Sequence, residues 1–338
     1  MWTEQLLDLK LTTPSDNLIK DITNIKGDII VLGAGGKMGP TLCILAKNAI
    51  RQAGSGNKVI AVSRFTDPVA TQLLHDNGVE TVSMDLLEPG AMELLPDAPN
   101  VIYMAGRKFN TGGQEHLTWA MNAGLSGLVA ERFKESRIVV FSSGNIYPMV
   151  PIHSGGATEQ TPPLPNGEYG MSCLARERLF ESGAHKYGTK VLIYRLNYAI
   201  DLRYGVLYDI AQTMLNGSPV SLTSPSFNCI WQGDANEIAI RSLIHADNPA
   251  VKLNVTGPET VSVRHAANEL GKLLDITPTF TGDESRTAYL NNAEKCISIF
   301  GYPTIPVATL IRWQAEWIKS GGRALGKPTH FEERGGSY

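Results

Sequence analysis

Two features of the chain predict an α/β fold. Short apolar, β-branched runs of strand character alternate with stretches of helical spacing from residue 28 to about residue 196. A glycine-rich turn sits between the first such run and the helix that follows it. Strands alternating with helices form a parallel sheet covered on both faces. The expected architecture is therefore a Rossmann-type doubly wound parallel sheet with a smaller C-terminal substrate-binding lobe, where the alternation becomes irregular.

Residues 1–26 read as an N-terminal extension. Asp28 to Leu32 is the first strand, and Leu42, Ile44, Leu45, Ala46 and Ala49 continue at helical spacing. "KVIAVS", "ETVSMD" and "NVIYMAG" supply three more strands, ending at Arg64, Asp85 and Gly106. The helix "EHLTWAMNAGLSGLVAERFK" leads to the strand "RIVVFSS", and a helix from about Tyr169 to Lys186 leads to "KVLIYRL". These elements make a main domain over 27–200. A mixed lobe over 201–320, partly interleaved with that domain, has short strands such as "VSLT" and "KLNVTG" and helices around Asn236–Ile244, Ser262–Leu274 and Leu310–Lys319. Residues 321–338 read as a loop-like tail.

Composition narrows the function classes. Of 338 residues, 43% are apolar and the formal net charge is −3, which gives no electrostatic case for nucleic acid or an anionic membrane. No stretch reaches the roughly 18 apolar residues of a membrane span, and the start lacks the pattern of a secretory signal. The four cysteines form no CxxC pair and no metal-ligand cluster, so no metal is expected. They read as reduced, buried thiols of a cytoplasmic protein.

"GAGGKMG" satisfies G-x-x-G-x-x-G through Gly33, Gly36 and Gly39, with Gly35, Lys37 and Met38 between them. A pyrophosphate needs a tight turn, a backbone free of side chains and the N–H groups at a helix start. The turn follows a strand and opens a helix, the context that makes 27–200 an NAD(P)-binding domain. After the second strand stands Ser63-Arg64, where an acidic residue would favour NAD. Arginine can pair with the 2′-phosphate of NADP, so NADP is favoured and NAD stays open.

The chain resembles the extended short-chain dehydrogenase/reductase family, the group that contains nucleotide-sugar epimerases and dehydratases, from about Gly27 to Lys319. The likeness rests on "GAGGKMG", "SMDLLEP", "YMAGRKF", "MNAGLSGL", "VFSSGNIYP", "EYGMSCLARE" and "WQGDANEIA" in that order. It implies that Asp85 approaches the adenine with Leu86 beside it, that Ala105 and Gly106 line the cofactor, and that Lys108 meets its phosphates. It also makes Ser143 and Tyr169, 26 residues apart, the catalytic pair. A phenolate would accept the substrate's hydroxyl proton while the serine holds the developing carbonyl. Asn145 and Asn197 are the polar candidates for substrate contact.

Two departures from the family pattern stand out. Cys173 occupies the place of the lysine whose ammonium lowers the tyrosine pKa, and a neutral thiol supplies no such charge. Arg176 aligns with Tyr169 but lies two helical turns on, and is set aside as a substitute. Phe227 falls where an arginine would clamp a substrate diphosphate, with Arg195, Arg203, Arg241 and Arg264 as possible replacements. The favoured function is an NAD(P)-dependent epimerase, dehydratase or dehydrogenase acting on a small carbohydrate derivative. The alternative is a non-catalytic NAD(P)-binding sensor or scaffold. By the same resemblance the two helices named above pair into a homodimer interface.

Overall fold

The computed structural model describes residues 1–108 and 113–336; Phe109, the last residue of "YMAGRKF", lies outside them. Seven parallel strands form the central sheet: β1 (Ile29–Leu32), β2 (Val59–Ser63), β3 (Glu80–Ser83), β4 (Asn100–Tyr103), β5 (Arg137–Ser143), β6 (Lys190–Leu196) and β7 (Val251–Val255). Their order across the sheet is β7-β6-β5-β4-β1-β2-β3. The order reverses between β1 and β4, so a crevice opens at their carboxyl ends, where such sheets take their ligands. The second, third and fourth strands each stop short of the expected residue: the ladder ends at Ser63, Ser83 and Tyr103, and loops carry Arg64, Asp85 and Gly106 over the crevice.

"KLNVTG" is expected in the irregular half of the chain, but it pairs with β6 as the edge strand β7. Leu253 and Val255 are fully buried against the sheet, which explains why a short segment far along the chain completes it.

Residues 1–26 are not a bare extension. Thr3 and Ser15 cap the helices α1 (Glu4–Thr12) and α2 (Asp16–Ile22) by accepting from Leu6 N and Leu18 N. Both helices pack against α3 (Gly39–Gln52), which follows the glycine turn. The next helix, α4 (Pro68–Asp76), is capped by Asp67. The long helix α5 starts as Glu115–Trp119, passes through a π turn at Ala120–Gly124 and resumes as Leu125–Arg132. It packs beside α6 (Gly167–Tyr187).

Beyond β6, helices α7 (Val206–Leu215), α8 (Gln232–Arg241), α9 (Val263–Leu274), α10 (Glu294–Phe300) and α11 (Val307–Lys319) alternate with two-residue strands. The core of this region joins distant parts of the chain. Leu7 and Leu11 of α1, Leu207 and Ile210 of α7, and Phe331 of the tail share it. Trp2 meets Trp313 edge-on at 5.1 Å, and Trp313 meets Trp231 at 5.6 Å. Among the described residues no helix is long and apolar enough to cross a membrane.

Candidate functional site

The glycine turn is built by close approach. A Cβ on Gly33, whose φ is +90°, would lie 2.5 Å from Ala105 N, and one on Gly39 would lie 2.2 Å from Ala34 O. Those two positions admit only glycine without a shift of backbone. Gly36 differs: a Cβ there would meet nothing nearer than Gly33 O at 3.6 Å, so it opens onto space. Met38 caps α3 without a side-chain hydrogen bond, leaving the helix start facing the crevice.

Two cavities meet over this turn, sharing Gly33, Gly36, Met104, Gly106 and Lys327. The smaller, about 300 Å³, runs over the ends of β2 and β3 and is walled by Gly35, Ser63, Arg64, Asp85, Leu86 and Ala105. The Arg64 guanidinium lies 3.7 Å from the Asp85 carboxylate, which also accepts from Leu87 N at 3.0 Å.

The larger cavity, about 420 Å³, takes in Lys37, Met38, Lys108 and, on its far wall, Ser143, Asn145, Tyr169 and Asn197. The structure thus brings the glycine turn and the Ser143–Tyr169 pair to one site. Of the cofactor candidates, Gly39 alone lines neither cavity. Ser143 Oγ donates to Asn145 Oδ1 at 3.0 Å and accepts from Asn145 N at 3.1 Å. Its neighbour Ser142 instead donates to buried Glu177 at 2.6 Å. Ser143 and Cys173 are the side chains that act on the Tyr169 phenol at close range. Burial pushes its pKa well above the usual phenol value, and the Cys173 sulfur pushes the same way; Ser143 and Arg176 oppose them. Cys173 is buried among Ile146, Tyr147 and Ala157, and burial raises its pKa as well, so it is a neutral thiol.

Arg176 is closer to the chemistry than its place on the helix suggests. Side chains lean toward a helix's N-terminus, and the long arginine leans back along α6. It donates to Phe141 O at 2.7 Å, Asn122 O at 3.1 Å and Asn122 Oδ1 at 2.9 Å. Its Nη2 would be 2.7 Å from a Cβ on Gly106. The other arginines have different work. Arg195 pairs with Glu177 at 2.7 Å in the core, Arg203 with Asp201 at 2.7 Å, Arg241 with Asp21 at 2.7 Å and Arg264 with Glu284 at 2.8 Å. None of these four lines the cavity.

Two lysines, Lys37 and Lys108, line the larger cavity. Burial, then the charge of Lys108, lowers the pKa of Lys37 to about 8, and burial lowers that of Lys108 to about 8. Lys37 Nζ donates to Lys327 O at 3.0 Å, and Lys108 Nζ sits 5.7 Å from the centre of the Tyr169 ring. Sequence reasoning missed Asn122, Tyr198, Tyr204, Lys327 and Thr329, which also line the cavity. Asn122 lay inside the quoted "MNAGLSGL". Tyr198, with φ at +45°, follows Asn197 in the segment that departs from the family spacing. The tail residues carried no periodic signal.

Solved structures with this fold include UDP-glucuronic acid 4-epimerase from Bacillus cereus in complex with NAD, at 18% identity and a TM-score of 0.71, covering 87% of this chain and 99% of that one. Another is dTDP-glucose 4,6-dehydratase from Bacillus anthracis in complex with NAD, at 16% identity and a TM-score of 0.72, covering 87% and 97%. UDP-glucose 4-epimerase from Thermotoga maritima matches at 16% identity with a TM-score of 0.69, covering 87% and 99%. A search of curated proteins found no match. The sequence model described as "Epimerase: NAD dependent epimerase/dehydratase family" matches residues 29–222, more than half of the chain. With the glycine turn, the strand order and that match in agreement, the chain belongs to the NAD dependent epimerase/dehydratase family.

Proposed function

We propose that the protein is an NAD(P)-dependent enzyme that epimerises, dehydrates or oxidises a carbohydrate derivative, with Tyr169 as acid/base and Ser143 as the orienting donor. The observation that carries this reading is the convergence of the two hydroxyls on one wall of the cavity into which the glycine turn opens. Gly33, Gly36 and Gly106 leave room for a dinucleotide's diphosphate, and the start of α3 offers it N–H groups. When bound, the nicotinamide ring supplies the site of hydride transfer. The Ser143 hydroxyl holds the substrate oxygen, and Tyr169 Oη takes the hydroxyl proton and later returns it. Arg176 is the fixed charge that favours the phenolate.

NADP is the favoured cofactor because Arg64 is the more exposed partner of its pair with Asp85, at 64% against 31%. The Bacillus cereus epimerase and Bacillus anthracis dehydratase structures carry NAD. Their sugar nucleotides suggest a carbohydrate substrate. The absence of Arg195, Arg203, Arg241 and Arg264 from the cavity wall favours a smaller sugar or sugar-acid derivative. The homodimer reading draws support from exposed Leu117, Trp119 and Leu128 on α5 and Met171 and Leu179 on α6. Leu128→Glu is expected to yield monomers in sedimentation; an unchanged mass removes that interface.

The test combines NADPH and NADH titrations with a turnover assay. Tyr169→Phe should bind dinucleotide within about threefold of the parent yet lose turnover by about 100-fold or more. Full activity in that variant sinks the assignment. The raised Tyr169 pKa beside a neutral thiol favours a second reading, a dinucleotide-binding sensor or scaffold. Under it the parent is inert and Cys173→Lys awakens weak turnover. In an enzyme adapted to Cys173 the lysine gives no gain.

A further inference from the structure

The tail crosses the mouth of the site and is pinned on both sides. On the lobe side, Leu325 N donates to Arg203 O at 3.0 Å, and Thr329 donates to Asp209 from N at 2.7 Å and from Oγ1 at 2.6 Å. Arg334 donates to Thr287 O at 2.7 Å, and Asn166, just before α6, donates to Arg334 O at 3.0 Å. On the cofactor side, Lys37 and Lys108 donate to the carbonyls of Lys327 and Thr329, at 3.0 and 3.4 Å. An ammonium has three donors, so each lysine can hold a tail carbonyl and an anion oxygen together.

Phe227 stands where the family resemblance expects the diphosphate arginine. It is buried, with Phe331 of the tail at 6.5 Å between ring centres. The position that has lost a cation thus helps to seat a segment that brings one. Lys327 lines both cavities at their junction. The larger cavity is also lined by Lys37, Arg107, Lys108 and Arg176, and no carboxylate is among its described lining residues. The family match ends at residue 222, so it does not include this segment.

We propose that residues 325–336 are a strap that completes the ligand site, and that Lys327, Lys37 and Lys108 form an anion subsite where the two cavities meet. The subsite takes a phosphate or carboxylate group, from the dinucleotide's diphosphate or from an anionic sugar. It rests on the dinucleotide-dependent reading above.

Lys327 is exposed, so Lys327→Met leaves the packing intact. Three affinities test it: NADPH by nicotinamide fluorescence, inorganic pyrophosphate by competition, and inorganic phosphate on the dinucleotide-saturated protein. A loss of about tenfold is expected in at least one. Weaker NADPH and pyrophosphate assign the subsite to the cofactor; weaker phosphate alone assigns it to the substrate. Lys272→Met, a lysine paired with Glu269 on the exposed surface, should change nothing. Unchanged affinities in Lys327→Met, or an equal loss in Lys272→Met, overturn the proposal. These are binding measurements: a protein that binds no dinucleotide sinks the earlier reading, whereas equal binding with and without Lys327 sinks this one.

Discussion

At Tyr169, Lys37 and Lys108 alike, burial acts against the charged form that each proposed role needs. Burial keeps the Tyr169 phenol protonated, with Arg176 as the counterweight. The lysines are depressed to about 8 by burial, helped at Lys37 by like charge, while Asp209 acts on both in the opposite direction and Glu332 on Lys108. A bound anion favours their charged forms. Anion affinity should therefore be full below about pH 8 and be lost as pH rises through it. In the free protein the sign is reversed: from about pH 8 to the ordinary lysine value of 10.5 the unfolded chain binds more protons, so these two groups add stability as pH rises. Thermal unfolding with and without pyrophosphate reads the first effect; a pyrophosphate-induced shift in melting temperature no smaller at pH 9 than at pH 7 contradicts it. Ser143 and Tyr169 were expected from the resemblance, and the structure brings both to the wall of one cavity. Arg176 was underestimated because helical position describes where a side chain starts and not how far it leans.

Helix α6 carries Tyr169 on its first turn and anchors itself through Glu177. The Glu177 carboxylate accepts from Ser142 Oγ at 2.6 Å, Arg195 Nη2 at 2.7 Å and Arg195 Nε at 3.0 Å. Arg195 Nη1 donates to Tyr147 Oη at 2.5 Å, and Tyr147 donates to Asn254 Oδ1 at 2.9 Å. This polar chain fixes α6 to β5, β6 and β7 beneath the site. Glu177→Ala strands a buried guanidinium and should cost about 3–5 kcal/mol in denaturant unfolding. A cost below about 1 kcal/mol would show that water replaces the carboxylate. Glu177 closes the quoted segment "EYGMSCLARE", but its partner could not be read, since a buried arginine and a ligand-facing one look alike in sequence. The π turn of α5 was likewise hidden: "WAMNAGLSG" reads as unbroken helix, and the turn lies where Asn122 meets Arg107 and Arg176.

Across the whole molecule, the sheet was legible through alternation over the first 196 residues, while β7 was read as a strand but assigned to the lobe, because one short strand without a helical partner has no periodic context to place it in the sheet. The tail was invisible for a different reason: it is held by separate polar anchors and one aromatic ring, which leave no repeat to read. The N-terminal helix and the C-terminal segments hold one another as well. Trp2 donates to Glu316, and Arg323 meets Glu4, across separations of 314 and 319 residues. Contacts between such distant parts of a chain carry the largest loop-closure cost and form slowly. In refolding, recovery of dinucleotide binding should therefore lag behind recovery of secondary structure; coincident time courses would exclude the delay. Because the ligand's walls come from opposite ends of the sequence, a molecule can hold its finished sheet for a time before it has a place to bind.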